Sequence, residues 1–172
     1  MKFVLKIFVV IVISLLLNTN SYGQNVQIYE HPSLNIQFKA SQNWQQVPRP
    51  EDKRIYEVID PDSIVHVVLW YTETEQDAQG YFWKMASMKD LVLGEKPSHK
   101  RIKNLDAWVL NVPGHEKKIP IRMLLAVIPH GKSQAHPKEN AHFIIQIWCP
   151  EENYEEHKTT MESILASMEI TD

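Results

Sequence analysis

At 172 residues, with ordinary apolar content and a formal net charge of −3, the chain has room for one domain and a targeting segment. The acidic balance argues against non-specific nucleic-acid binding, which needs a basic face, and no long run of like charge forms a tail. Cys149 is the only cysteine, so an intrachain disulfide is excluded and the fold stands on its core.

Residues 1–23 read as a signal peptide. Lys2 and Lys6 precede the apolar stretch 7–17, and small Ser21 and Gly23 occupy the −3 and −1 positions of a cleavage site. The apolar stretch is shorter than the ~18–20 residues that cross a bilayer, and no cysteine follows it for lipid attachment. The expectation is cleavage after Gly23, a secreted or periplasmic product and no stable membrane span. Cleavage removes two lysines and no acids, which takes the charge from −3 to −5.

Residues 24–172 then read as a single domain. Residues 26–29 and 34–38 alternate apolar and polar around His31-Pro32-Ser33, predicting a hairpin with Leu34, Ile36 and Phe38 facing a core and Trp44 at the sheet edge. Residues 48–53 form a polar loop. Strands are expected at 54–59 and 64–72, joined by a turn in which Pro61 fixes φ and Asp60 and Asp62 bond backbone groups. The second is apolar on both faces except for His66, as in a central strand covered on both sides. Residues 76–93 predict a helix with Ala78, Tyr81, Phe82, Met85, Met88 and Val92 on one face, opposite Gln79, Lys84 and Lys89. Gly80 weakens it, and Gly94 and Pro97 end it.

Residues 98–103 suggest a short edge strand turning at Asn104. A strand at 105–112 is expected to break at Pro113-Gly114, and another at 119–128 to end at Pro129. Residues 130–140 form a polar hairpin loop, and 141–149 pair back. Antiparallel pairing follows from connections too short for crossovers. Pro150, Glu151 and Glu152 suit the start of a helix. Tyr154, Met161, Ile164, Leu165 and Met168 then form one stripe, whose last four members are worth ~1.5–3 kcal/mol each when buried. The sum is an α+β fold, a mostly antiparallel central sheet with helices packed on it.

No set of residues forms a catalytic motif. Gly131-Lys132-Ser133 lacks the glycine five positions earlier that a phosphate loop needs, because Ala126 stands there, and His136-Pro137 follows where a helix should. Asp60 and Asp62 read as turn carboxylates, Ser133 lacks a nucleophile elbow, and Cys149 reads as a small buried hydrophobe. His66 reads as a hydrogen-bonded sheet histidine and His157 as a ring beside the buried stripe. His130, His136 and His142 lie close enough in sequence to meet around one hairpin, and imidazole is a good zinc or copper ligand. No His-Glu-x-x-His or paired cysteine supports them, and solvated loop histidines are the expectation. The predicted catalytic, cofactor-binding and metal residues are accordingly none.

The order of elements, with Phe38-Lys-Ala-Ser-x-x-Trp44, Ile144-Ile-Gln-Ile-Trp-Cys-Pro-x-x-x-Tyr154 and a helix ending Ile164-Leu-Ala-Ser-Met168, resembles the PsbP-like proteins and the related bacterial DcrB-like exported proteins. The resemblance covers residues 26–170. It implies an α/β/α sandwich and a role as a binding or assembly factor; it carries no catalytic residue. The function expected is a non-enzymatic envelope protein whose partner is another envelope or secreted protein. Two alternatives stand beside it. One is a carrier of a small apolar ligand or lipid in a pocket lined by some of Trp70, Trp83, Trp108 and Trp148. The other is a metal-binding protein built on the loop histidines.

Overall fold

The computed structural model describes residues 26–31, 33–48, 54–88, 91 and 96–171. The signal peptide predicted at 1–23, most of the 48–53 loop, Lys89, Val92 and Gly94 lie outside them. The described elements are β1 Val26–His31, β2 Ile36–Ser41, β3 Gln45–Gln46, β4 Arg54–Ile59, β5 His66–Thr74, α1 Ala78–Met88, β6 Ser98–Ile102, β7 Leu105–Glu116, β8 Ile119–Lys132, β9 Asn140–Pro150, α2 Tyr154–Ala166 and β10 Glu169–Ile170. A 3₁₀ turn, Glu151–Asn153, joins β9 to α2.

Seven strands make the main sheet in the order β3-β4-β5-β9-β8-β7-β6, all antiparallel. The first hairpin is not part of it. β1 and β2 join β10 in a separate three-stranded sheet, which the sequence pattern did not reveal. Tyr29 and Phe38 stack across this hairpin with centroids 5.1 Å apart. Trp44 is buried beside it, and its carbonyl accepts the Tyr29 hydroxyl.

Alternation along the strands divides the apolar residues between two cores. On one face Val67, Leu69, Leu124, Ala126, Phe143, Ile145, Ile147 and Cys149 pack under α2 and the small sheet. Tyr154, Met161, Ile164, Leu165 and Met168 are all buried there, as the stripe predicts. The start of α2 is tied down by Arg122, whose Nε donates to Glu151 Oε2 at 3.0 Å and whose guanidinium lies 5.1 Å from the Tyr154 ring centroid. On the opposite face α1 covers β7 and β8, with Ala78, Phe82 and Ala86 against Leu110, Met123, Leu125, Val127 and Ile144. The layering is the α/β/α sandwich.

Two prolines do not act as predicted. β7 continues through Pro113-Gly114 to Glu116, because its outer neighbour β6 pairs only as far as Val109 and leaves an open edge where a missing N–H costs little. β8 runs through Pro129 to Lys132 because the register against β9 shifts there, and Gly131 takes φ +95° inside that bulge. The β7–β8 turn places two lysines, Lys117 and Lys118, at φ 48° and 74°. Its mirror-image form matches the strand twist and normally favours Asn-Gly.

Candidate functional site

α1 covers only half of its face of the main sheet. Cross-strand register lays out what lies on the other half. One row runs Glu57–Val68–Gln146–Leu125–Leu110 across β4, β5, β9, β8 and β7. Its β8 and β7 members sit beneath α1 and are apolar. Its β4, β5 and β9 members floor an open cleft of about 540 Å³. That size lies within the usual range of ligand pockets. The next row one way is Ile59–His66–Trp148, in which the imidazole lies flat on the indole with centroids 3.9 Å apart and planes 6° apart. Trp70, two residues from Val68 the other way along β5, forms the facing wall. Glu116, Lys117 and Ile119 at the tip of the β7–β8 hairpin make the rim.

Gln146 is the informative residue. Only 2% of it is exposed, yet its Nε2 has no hydrogen-bond partner among the described residues. A buried amide donor left unmet costs ~1–3 kcal/mol, and such groups are uncommon. Glu57 in the same row is 8% exposed. Burial pushes the His66 pKa below its ordinary value, which outweighs the upward pull of Glu57, the Ser63 backbone, Asp60 and Glu116. Burial thus favours the neutral form of His66, and Glu57, Glu116 and Lys117 are the charged residues among the described lining of the cleft. His66 and Trp70 are half-buried. The prediction that β5 is sheathed on both sides is thus corrected: one side opens into this cleft.

The sequence-derived alternatives fare differently. Trp70 and Trp148 share the cleft, whose floor sets Glu57 and Gln146 on either side of Val68. Trp83 lies elsewhere, on α1 against Phe82 and partly exposed, while Trp108 packs under α1 and meets His99 edge-on. The loop histidines do not converge. His130 faces the α2 side of the sheet, 4.6 Å from the Phe143 ring. His142 faces the α1 side, its Nε2 3.0 Å from the Gln76 carbonyl and its ring over Tyr81. His136 is exposed in the hairpin loop, where its N–H donates to Ser133 Oγ. Strand alternation puts the first two on opposite faces, and no group of three metal-ligating side chains forms among the described residues.

Other singled-out residues are structural. Asp60 Oδ1 accepts the Ile64 and Val65 N–H groups at 2.6 and 2.9 Å. Cys149 is buried, its Sγ 3.6 Å from Met161 Sδ, and burial pushes its pKa up to about 11. Such a thiol is not a nucleophile at neutral pH. The sequence did carry a signal for the cleft: a single Gln within Ile144-Ile-Gln-Ile-Trp148, on a strand with neighbours on both sides, must be buried.

No protein-family model matches the chain, and no curated protein sequence does. Solved structures do. The solution structure of cyanobacterial PsbP (CyanoP) from Synechocystis aligns with a TM-score of 0.62 at 10% identity, covering 88% of this chain and 96% of that one. LpqN, involved in cell envelope biogenesis of Mycobacterium tuberculosis, aligns with a TM-score of 0.62 at 10% identity over 86% of this chain and 91% of its own. A protein from Bacteroides thetaiotaomicron gives 0.54 at 11% identity, over 85% of this chain and 48% of its own. At these identities the likeness is one of fold, and the fold is PsbP-like. No described helix is long and apolar enough to cross a membrane.

Proposed function

We propose that this chain is an exported, non-enzymatic binding protein of the cell envelope that holds a small polar ligand in the cleft over β4, β5 and β9. The observation that carries this reading is the Gln146 Nε2, buried without a hydrogen-bond partner at the floor of an open, aromatic-walled space. Export follows from the N-terminal pattern, and LpqN supplies a fold neighbour whose name places it in envelope biogenesis. The inertness of Cys149 fits a role without covalent catalysis. Native mass spectrometry of protein recovered gently from its own envelope tests the reading. The expected result is a chain beginning at Gln24 that carries an added mass, and that loses the mass in Gln146→Leu. A bare chain in every preparation would refute it.

A second reading has its own observation. β1 pairs with β2 on one side, has no described neighbour on the other, and exposes Val26 and Ile28. A partner protein adding a strand there would bind chiefly through backbone hydrogen bonds. Crosslinking in the envelope tests it: a partner lost on Ile28→Lys supports strand addition, and one retained excludes it.

A further inference from the structure

We propose that the outer edge of β6 takes an extended acidic segment of a partner protein as a further strand of the main sheet, with carboxylates at successive positions beside Lys100 and Arg101. This site is separate from the cleft over β4, β5 and β9 and stands whether or not that cleft binds.

The open edge makes the first demand. The main sheet ends on one side at β3, two residues long, and on the other at β6, beyond which no described strand lies. Alternate backbone N–H and C=O groups of such an edge point outward and pair readily with another chain. Its side chains decide which chain. Residues 96–103 hold Lys96, Lys100, Arg101 and Lys103 and no acid, in a protein of net charge −3. Lys103 pairs with Glu169, but Lys96, Lys100 and Arg101 are exposed and make no ion pair with any described residue. Alternation sets Lys100 on the α2 side with Ser98 and Ile102, and Arg101 on the α1 side with His99, whose ring meets Trp108. Asp106 stands opposite Arg101 on β7 and Glu162 stands across the groove on α2, and neither closes an ion pair with the edge. Lysines on an edge act as a guard, and this guard is selective. A second copy would bring cation against cation, whereas an acidic strand meets a complementary charge on each face.

The groove beneath the edge makes the second demand. β6, β7 and α2 line a space of about 510 Å³ over Val109, Leu124 and Leu165. Asn111 also lines it, two residues past Val109, the partner of Ser98. Its Nδ2 donates to the Tyr154 hydroxyl, while its Oδ1 is buried with no hydrogen-bond partner among the described residues. That carbonyl oxygen can only accept. On an added strand, the residue two positions from the carboxylate beside Lys100 falls beside Ser98 and faces this groove. A mostly apolar side chain ending in a donor, such as tyrosine, suits the place. A phosphate-rich lipid surface would be drawn to the same cations, but its phosphates bring acceptors alone and nothing to line an apolar groove.

The test uses the purified exported protein, isotope-labelled for NMR, and the peptide acetyl-Thr-Tyr-Thr-Glu-Asp-Thr-Tyr-Thr-amide. Its acids and tyrosines fall in place in either strand direction. Saturable binding at millimolar peptide is expected, with amide shifts concentrated in β6 and the groove. Lys100→Glu/Arg101→Glu, a double change at two exposed positions, should weaken binding about tenfold or more and should instead take the peptide in which Lys-Lys replaces Glu-Asp. Lys117→Glu, on the distant β7–β8 turn, should leave binding intact. Methylating the Glu and Asp backbone nitrogens of the peptide should remove binding while keeping both carboxylates. Absence of binding, equal binding of the Lys-Lys peptide by the parent protein, indifference to the charge reversal, or survival of the methylated peptide each overturns the proposal. Shifts on β1 in place of β6 overturn it in favour of the other open edge. Binding of phosphatidylglycerol vesicles without binding of the peptide overturns it in favour of a lipid surface.

Discussion

The N-terminus of α1 sets two effects of similar size against each other at one atom. Asp77 caps the helix, its Oδ1 accepting the Gly80 N–H at 2.7 Å. A methyl group added at Gly80 would lie 3.2 Å from that same oxygen. Glycine in a helix costs ~0.5–1 kcal/mol relative to alanine, and an aspartate cap is typically worth ~1 kcal/mol. Gly80→Ala should therefore gain in helix propensity and lose most of that gain by displacing the cap, for a net change within ~0.5 kcal/mol of zero. Asp77→Ala alone should cost ~1 kcal/mol. In the Asp77→Ala background the oxygen is gone, so Gly80→Ala should recover its full ~1 kcal/mol, giving a coupling of roughly the same size. Because Phe82 anchors α1 in the core, the helix should melt with the whole domain. Urea unfolding followed by far-UV CD and tryptophan fluorescence measures all four proteins, and coincident curves establish that one transition is being read. The reasoning fails if Gly80→Ala stabilises the parent and the Asp77→Ala variant equally.

Replacing Lys117-Lys118 with Asn-Gly should raise stability by ~1 kcal/mol and the thermal midpoint by ~2–4 °C, since both positions hold a left-handed backbone that lysine resists; an unchanged midpoint would contradict this. Burial lowers the pKa of His66 and His130, so the unfolded chain binds protons more readily than the native one below about pH 6.5. Their contribution is fully present above that pH and is lost as pH falls through the lowered native values. The urea midpoint should drop between pH 7.5 and 5.5, and the drop should be smaller in His66→Gln/His130→Gln; equal drops would refute the assignment. Cys149 should resist iodoacetamide at pH 8 in the folded protein and react only in denaturant, with rapid native labelling as the contrary result.

The features legible in sequence are those whose signal is local and periodic. The apolar runs of β8 and β9 and the stripe from Tyr154 to Met168 declare a buried strand pair and a covering helix. What escaped depends on distant geometry. Pro113 reads as a break until the shortness of β6 is known, and Pro129 until the bulge at Gly131 is seen. β10 is two residues long and carries no periodicity; it exists because Thr171 N–H reaches the Asn35 carbonyl at 2.7 Å and Lys103 pairs with Glu169 at 2.5 Å. The separation of His130 from His142 needs the register and the bulge together. The cleft is hardest of all. Its residues come from β4, β5, β9 and the β7–β8 tip, and its openness depends on where α1 stops.

Gln146 connects stability to binding. β9 has paired neighbours on both sides, and each other residue from Ala141 to Ile147 is either apolar or, like His142, hydrogen-bonded. An apolar residue at 146 would be the stable choice. Leucine has a similar volume and no donor to strand, so Gln146→Leu should stabilise the free protein by ~1 kcal/mol, the penalty of the unmet amide less whatever its carbonyl contributes. The same change should reduce the advantage that ligand gives, because a bound ligand stabilises the native state by mass action and the variant has lost one of its contacts. Urea midpoints with and without ligand measure both halves. A residue placed for binding shows a higher midpoint on substitution and a smaller ligand-induced shift. If Gln146→Leu instead lowers the unfolding free energy by more than ~1 kcal/mol, the amide is holding the sheet together, and Gln146 is part of the scaffold.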